Sequence, residues 1–159
     1  MTAPLMLEDV VLAELVWAAS KSFLAGLAIL LVVWSLGLSE SWLSLWVLAV
    51  IPLIGLCFAG LALTMTALAP SYDFFMYYFT LFITPMMLLC GVFFPADQLP
   101  QILQQAAAFL PLTHAVALVR PLMNDAVPPD LLAHLGVLVL YAIVGFYAAL
   151  AFTRRRLLK

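Results

Sequence analysis

The chain has 159 residues, 67% of them hydrophobic and 9% charged, with a formal net charge of -2 and a mean hydropathy of +1.21. A water-soluble domain is excluded, because soluble domains carry about 25% charged side chains to keep their surface solvated. Disorder is excluded on the same grounds, and a pI ≈ 5.4 leaves nucleic acid too little positive charge to bind.

The N-terminal segment lacks the basic start of a secretory leader, and Glu8, Asp9 and Glu14 interrupt its apolar residues. It reads as an N-terminal cytoplasmic amphipathic helix over 4–20, with Pro4 in the first turn and Glu8 and Asp9 at the positive end of the helix dipole. Composition alone asks no more of it than to lie at the interface without a partner. Beyond Lys21 the sparse charges divide the chain into long apolar windows. A hydrocarbon core of about 30 Å needs roughly 20 apolar residues in a helix, since lipid offers the backbone no hydrogen bonds. Residues 22–38, 45–66, 74–94 and 131–152 meet that demand and read as transmembrane helices. Pro52 and Pro85 fall inside the second and third, where each removes a backbone donor and favours a kink.

Residues 97–124 do not read as a span, because Pro100, Pro111, Gln98, Gln101, Gln104, Gln105 and His114 interrupt them. They predict an outer re-entrant helical hairpin. Asp97 caps a first helix to Leu110, with Ile102, Leu103 and Ala106 on one face and Gln101 and Gln105 on the other. Thr113 caps a second, whose stripe is Ala115, Leu118, Val119 and Leu122. The fold class expected is all-α: a polytopic membrane helix bundle of four transmembrane helices, the N-terminal helix and the hairpin, as one membrane domain over residues 1–159.

Orientation follows from the basic residues. Arg154, Arg155, Arg156 and Lys159 follow the last span and mark that end as cytoplasmic; counting back through four spans puts Lys21 inside too and leaves only Arg120 outside. Trp42 and Trp46 then sit at the outer boundary and Tyr72, Tyr77 and Tyr78 at the inner one, where interfacial aromatics belong.

The chemistry is sparse. A nucleotide-binding GxxxxGK[ST] loop needs a glycine before Lys21, and Ser20 stands there, so the chain has no ATP site of its own. His114 and His134 are separated by twenty positions without Cys or HExxH nearby, and no metal or other cofactor is expected. Cys57 and Cys90 fall at depths roughly 14 Å apart by helical rise, too far for a bridge within the chain. The spans hold no ionisable residue for proton or ion coupling, and Asp73 at the inner mouth of the third reads as a cap or a functional carboxylate. His114 and Arg120, on the second arm of the hairpin, are open to two readings: ordinary interface contact, or contact with an anionic or sugar headgroup.

Gly91-Val92-Phe93-Phe94-Pro95, then Leu99-Pro100, then Leu110-Pro111-Leu112-Thr113-His114-Ala115 and Arg120 form an ordered series. It resembles the end of a type 2 ABC exporter permease, carried by Gly91, Phe93, Phe94, Pro95, Pro100, Pro111 and Thr113. Ala69-Pro70-Ser71-Tyr72-Asp73-Phe74-Phe75 and Arg156-Leu157-Leu158 resemble the nodulation lipo-oligosaccharide exporter branch in particular. Glu14-Leu15-Val16-Trp17-Ala18 is similar to the stretch ahead of that family's third span, although Ala13 stands where a glycine is usual.

The resemblance implies a permease subunit in the bacterial inner membrane, both termini cytoplasmic, paired with a second permease copy and with separate ABC ATP-binding subunits. ATP hydrolysis there would drive export of an amphipathic lipid-linked or oligosaccharide substrate. It also implies that two spans ahead of residue 1 are missing and that Glu8, Asp9 and Glu14 contact the ATPase subunit. The hairpin, with His114 and Arg120, would meet lipid or substrate headgroups at the exit. The alternatives are a drug- or haem-type export permease and a non-transporting membrane scaffold. An intramembrane enzyme is disfavoured, since no paired carboxylates, Ser/His pair or metal cluster lies within the spans.

Overall fold

A chain this apolar must satisfy its backbone within each segment, and it does so with helices. The structure, a computed structural model, describes residues 6–39, 41–93 and 100–157, and there is no strand among them. By length and composition, Leu7–Ser35, Trp42–Leu68, Tyr72–Leu89 and Leu131–Arg156 can each cross a membrane. The all-α membrane bundle expected from the sequence is what the chain forms.

Helix α1 runs unbroken from Leu7 to Ser35, about 44 Å at the helical rise. The division expected at Lys21, between an interfacial helix over 4–20 and a span over 22–38, is absent. Nothing in Ser20-Lys21-Ser22 breaks a helix: Ser20 Oγ donates to Val16 O at 2.8 Å, Ser22 Oγ to Ala19 O at 2.8 Å, and Lys21 is exposed. Nor does the first half stand apart, since Val11 and Leu15 are buried with Ala149 against Leu56, Ala59 and Leu63. Gly37, at φ +66, ends α1. Its N–H reaches Trp34 O at 3.0 Å and that of Leu38 reaches Val33 O at 3.1 Å, the paired bonds of a left-handed C-terminal cap.

A 3-10 turn, Trp42–Trp46, leads into α2, Val47–Leu68, which carries Pro52 within it. The third span is composite. Helix α3, Tyr72–Tyr78, widens into a π-turn, Phe79–Ile83, before α4, Thr84–Leu89. Pro85 explains the widening: it has no N–H to donate and its ring crowds the carbonyl four residues back, so the turn before it takes in an extra residue. Ser71 precedes α3 and Asp73 lies exposed in its first turn. Helix α5 is Gln101–Ala108, α6 is Pro111–Met123 and α7 is Leu131–Leu157.

Helix α7 lies on α2 at glycines. A Cβ added to Gly60 would lie 3.1 Å from the Gly145 backbone, and one added to Gly145 would lie 3.0 Å from that of Gly60. Such backbone contact suits a lipid setting, where helix association depends on close packing rather than on expelling water. Thr64 Oγ1 lies 2.8 Å from Gly60 O and 3.2 Å from Gly145 O, a polar link across the contact. On one side of the crossing, Val47, Val50 and Cys57 of α2 pack with Ala115, Leu118 and Leu122 of α6 and Leu138 of α7. On the other, α1 joins α2 and α7 around Ala149. The third span contributes one buried side chain from its helical segments, Met86. Cys57 and Cys90 are both free and buried.

Gly145→Leu is expected to destabilise the detergent-purified chain by about 1–3 kcal/mol through overpacking, read as a lowered Tm. Gly136→Ala, where an added Cβ meets nothing within 4 Å, should leave Tm unchanged or slightly raised. Equal Tm values for the two variants would contradict the close crossing.

Candidate functional site

A linked set of polar side chains lies at one end of the bundle, where α1 stops, α2 and α7 start, and α5 and α6 fold back. Pro100 opens α5 in extended conformation, and its carbonyl accepts from Leu103 N at 2.9 Å and Gln104 N at 3.1 Å. Pro111 then begins α6, its fixed φ suiting the first helical position, and the two helices meet at 87°. The bend falls within residues 97–124, where the sequence predicts a re-entrant hairpin, and two details of the expected capping differ. Asp97, expected to cap the first arm, lies outside the described residues. Thr113 does not cap the second: Leu110 holds that position because Pro111 starts the helix earlier, and the Thr113 hydroxyl is buried without a hydrogen-bond partner. The expected stripe is partly in the core, with Ala115, Leu118 and Leu122 buried, while Ile102 on α5 is 80% exposed.

Side chains from neighbouring helices complete the hairpin's loose backbone groups. A helix leaves its last carbonyls without internal partners, and those ending α5 are met from two directions. The His114 Nε2 of α6 lies 2.9 Å from Ala108 O, and the Tyr141 hydroxyl of α7 donates to Phe109 O at 2.6 Å. His114 Nδ1 meets His134 Nδ1 of α7 at 2.7 Å. A carbonyl only accepts, so His114 carries its proton on Nε2 and, when neutral, leaves Nδ1 bare to accept from His134 Nδ1–H. Both tautomers follow from that single contact, and the pair holds only while His114 Nδ1 or His134 Nδ1 is unprotonated.

The far end of α6 is fastened too. Arg120 Nη2 donates to Gly91 O at 2.7 Å, joining α6 to the turn that ends the third span, where Gly91 has φ +82. Ser39 Oγ donates to Met123 O at 2.9 Å and Ser41 Oγ to Asp125 Oδ1 at 2.5 Å, joining α6 to the loop after α1. Between the hairpin turn and α7 a cavity of about 480 Å³ remains. Phe109, Val137, Leu140 and Val144 give it apolar walls, with His114 and Tyr141 supplying the polar positions. Such a space suits an apolar chain that carries a few hydrogen-bonding groups.

The structure therefore brings His114 and Arg120 into one hairpin but gives each a protein partner. Of the series that carried the resemblance, Gly91 is buried, Phe93 is 60% exposed, Pro100 and Pro111 open the two hairpin helices, and Phe94 and Pro95 lie outside the described residues. Glu8, Asp9 and Glu14 are far from this site, on the exposed face of the first turns of α1 at the opposite end. Asp9 Oδ2 accepts from Met6 N at 3.0 Å and so completes the helix start, whereas Glu8 and Glu14 project outward. Tyr141 and the His114–His134 bond were not foreseen. The available signal was that the two histidines of the chain fall at the same end once the spans are counted. Among the described residues no cluster of three or more His, Cys, Asp or Glu could hold a metal ion.

Residues 1–124 match the ABC-2 type transporter family. The chain is 49% identical over 156 residues to a protein named nodulation protein J in Rhizobium leguminosarum bv. trifolii, a match covering 98% of this chain and 59% of the relative. It is 49% identical over 158 residues to nodulation protein J of Bradyrhizobium diazoefficiens, with the same coverage of 98% and 59%. A more distant nodulation protein J, from Azorhizobium caulinodans, is 28% identical over 123 residues, 77% of this chain and 48% of the relative. The chain thus spans about three fifths of the length of the nearer of these relatives. No solved structure matches. With the family matched over most of its length and its apolar helices set for several membrane crossings, the chain belongs to the ABC-2 type transporter family and is a multi-pass membrane protein.

Proposed function

We propose that this chain is the permease portion of an ATP-driven exporter that carries an amphipathic lipid-linked oligosaccharide outward across the bacterial inner membrane. The observation that carries this reading is the 49% identity to nodulation protein J over nearly the whole chain, together with the ABC-2 family match. An apolar bundle with few ionisable residues in its spans fits a machine powered from a partner subunit rather than by an ion gradient. The run of Arg154, Arg155 and Arg156 supports a cytosolic setting for its end of the bundle and hence an outward-facing hairpin.

In that orientation Glu8 and Glu14, exposed on α1, meet the ATP-binding subunit through basic groups across the interface. Because α1 continues without a break into the membrane, a push on these residues reaches the bundle core at Val11 and Leu15 directly. A second permease copy would complete the path, and the sparsely buried third span is the face left for it. At the outer end the cavity beside His114 and Tyr141 receives the acyl part of the substrate as it leaves. The hairpin, fastened to α7 by the histidine pair and to the third span by Arg120, serves as the gate.

Two measurements test these roles. Glu14→Lys should reduce the ATPase stimulation of the reconstituted permease–ATPase complex at least severalfold, while Asp9→Asn, which retains an acceptor for the helix start, should reduce it less. Stimulation unchanged in Glu14→Lys would remove that residue from the interface. For the gate, His134→Phe removes the ring nitrogen that meets His114 Nδ1 and so unfastens the hairpin from α7. Substrate export by His134→Phe should therefore change severalfold relative to wild type in the reconstituted complex. Export identical to wild type in His134→Phe would return the pair to a purely packing role.

A further inference from the structure

At the end of the bundle opposite the hairpin, a cavity of about 680 Å³ lies between the C-terminal end of α2 and the last turns of α7. Its volume is within the range of about 300–1,000 Å³ usual for small-molecule sites. Leu68, Pro70 and Phe152 form apolar walls, and Arg155 and Arg156 line the same space without an acidic residue among them. Arg156 is already held: its Nη1 donates to Thr66 O at 2.8 Å, closing one of the loose carbonyls that end α2. That bond fixes the guanidinium beside the cavity and offsets the negative end of the α2 dipole. A guanidinium has five donors, so most of those on Arg156 remain. Arg155 is exposed and has no hydrogen-bonding partner among the described residues.

We propose that this cavity is a binding site for an anionic phospholipid, with the phosphodiester on Arg155 and Arg156 and the glycerol and upper acyl carbons against Leu68, Pro70 and Phe152. Charge complementarity selects the headgroup, since two arginines and no carboxylate are among the described residues that line the space. Location selects a lipid over a soluble anion, because the cavity opens where two membrane-crossing helices end, at the depth of the headgroups. The site is separate from the export path proposed above and stands on the membrane architecture alone. Occupancy would brace α7 against α2 beyond the glycine crossing, at the end where α1 presents its carboxylates.

The test uses the full chain purified in an uncharged detergent, with bound lipid counted by native mass spectrometry and Tm followed as lipid is added. Phosphatidylglycerol should bind and raise Tm, phosphatidylcholine should do neither, and inorganic phosphate at the same concentration should have no effect. Arg155→Gln, which breaks no hydrogen bond among the described residues, should weaken phosphatidylglycerol binding about tenfold, a loss of the size expected for a charged hydrogen-bonding partner. Arg154→Gln, one residue away but outside the cavity lining, should change it less than twofold. Equal losses in the two variants would mean diffuse attraction to a basic tail and overturn the site. So would equal retention of phosphatidylcholine, or an effect reproduced by phosphate alone. Displacement of the lipid by added ATP-binding subunit, with weaker subunit binding in Arg155→Gln, would assign the arginines to a protein contact instead.

Discussion

Helices in lipid gain nothing from hiding apolar surface from one another, so their association depends on how closely backbones approach and on the few polar bonds between them. In this chain that requirement is met where Gly60 of α2 faces Gly145 of α7, with the Thr64 hydroxyl bridging both carbonyls. The remaining packing is arranged around that crossing. Helix α6 fills the space between α2 and α7 on one side of it, α1 does so on the other, and the two buried clusters fall on either side of the contact.

The same constraint explains why polar side chains collect at the helix ends. A hairpin that folds back must break its helical ladder, and each broken carbonyl needs a donor. His114, Tyr141, Arg120 and Ser39 supply donors to Ala108, Phe109, Gly91 and Met123. At the other end Arg156 does the same for Thr66. Residues that the sequence offers as binding groups are thus first used as backbone caps, and any role with a ligand must be compatible with that.

Much of the architecture was legible because charges are rare: each long apolar window had to be a helix, and the prolines and glutamines marked the hairpin. The boundary at Lys21 was not legible, since a single lysine neither bends a helix nor ends one when its charge can reach water along its stem. Thr113 looked like a cap by residue type, but Pro111 moved the helix start ahead of it. The histidine bond joins residues twenty apart on two helices, a meeting that depends on how α6 leans against α7 and leaves no pattern in either segment. The acidic positions on α1 were legible as exposed, whereas the use of Asp9 in closing the helix start required the local geometry.

The wide turn at Phe79–Ile83 divides the third span into halves with different angular settings. One extra residue in a turn rotates everything after it by about 100° relative to an uninterrupted α-helix. Met86, the residue that α4 turns inward, therefore does not share a stripe with the residues of α3 that ordinary helical spacing would align with it. The two leaflets consequently meet separate faces of one segment, and a neighbour gripping its upper half places no matching demand on the lower.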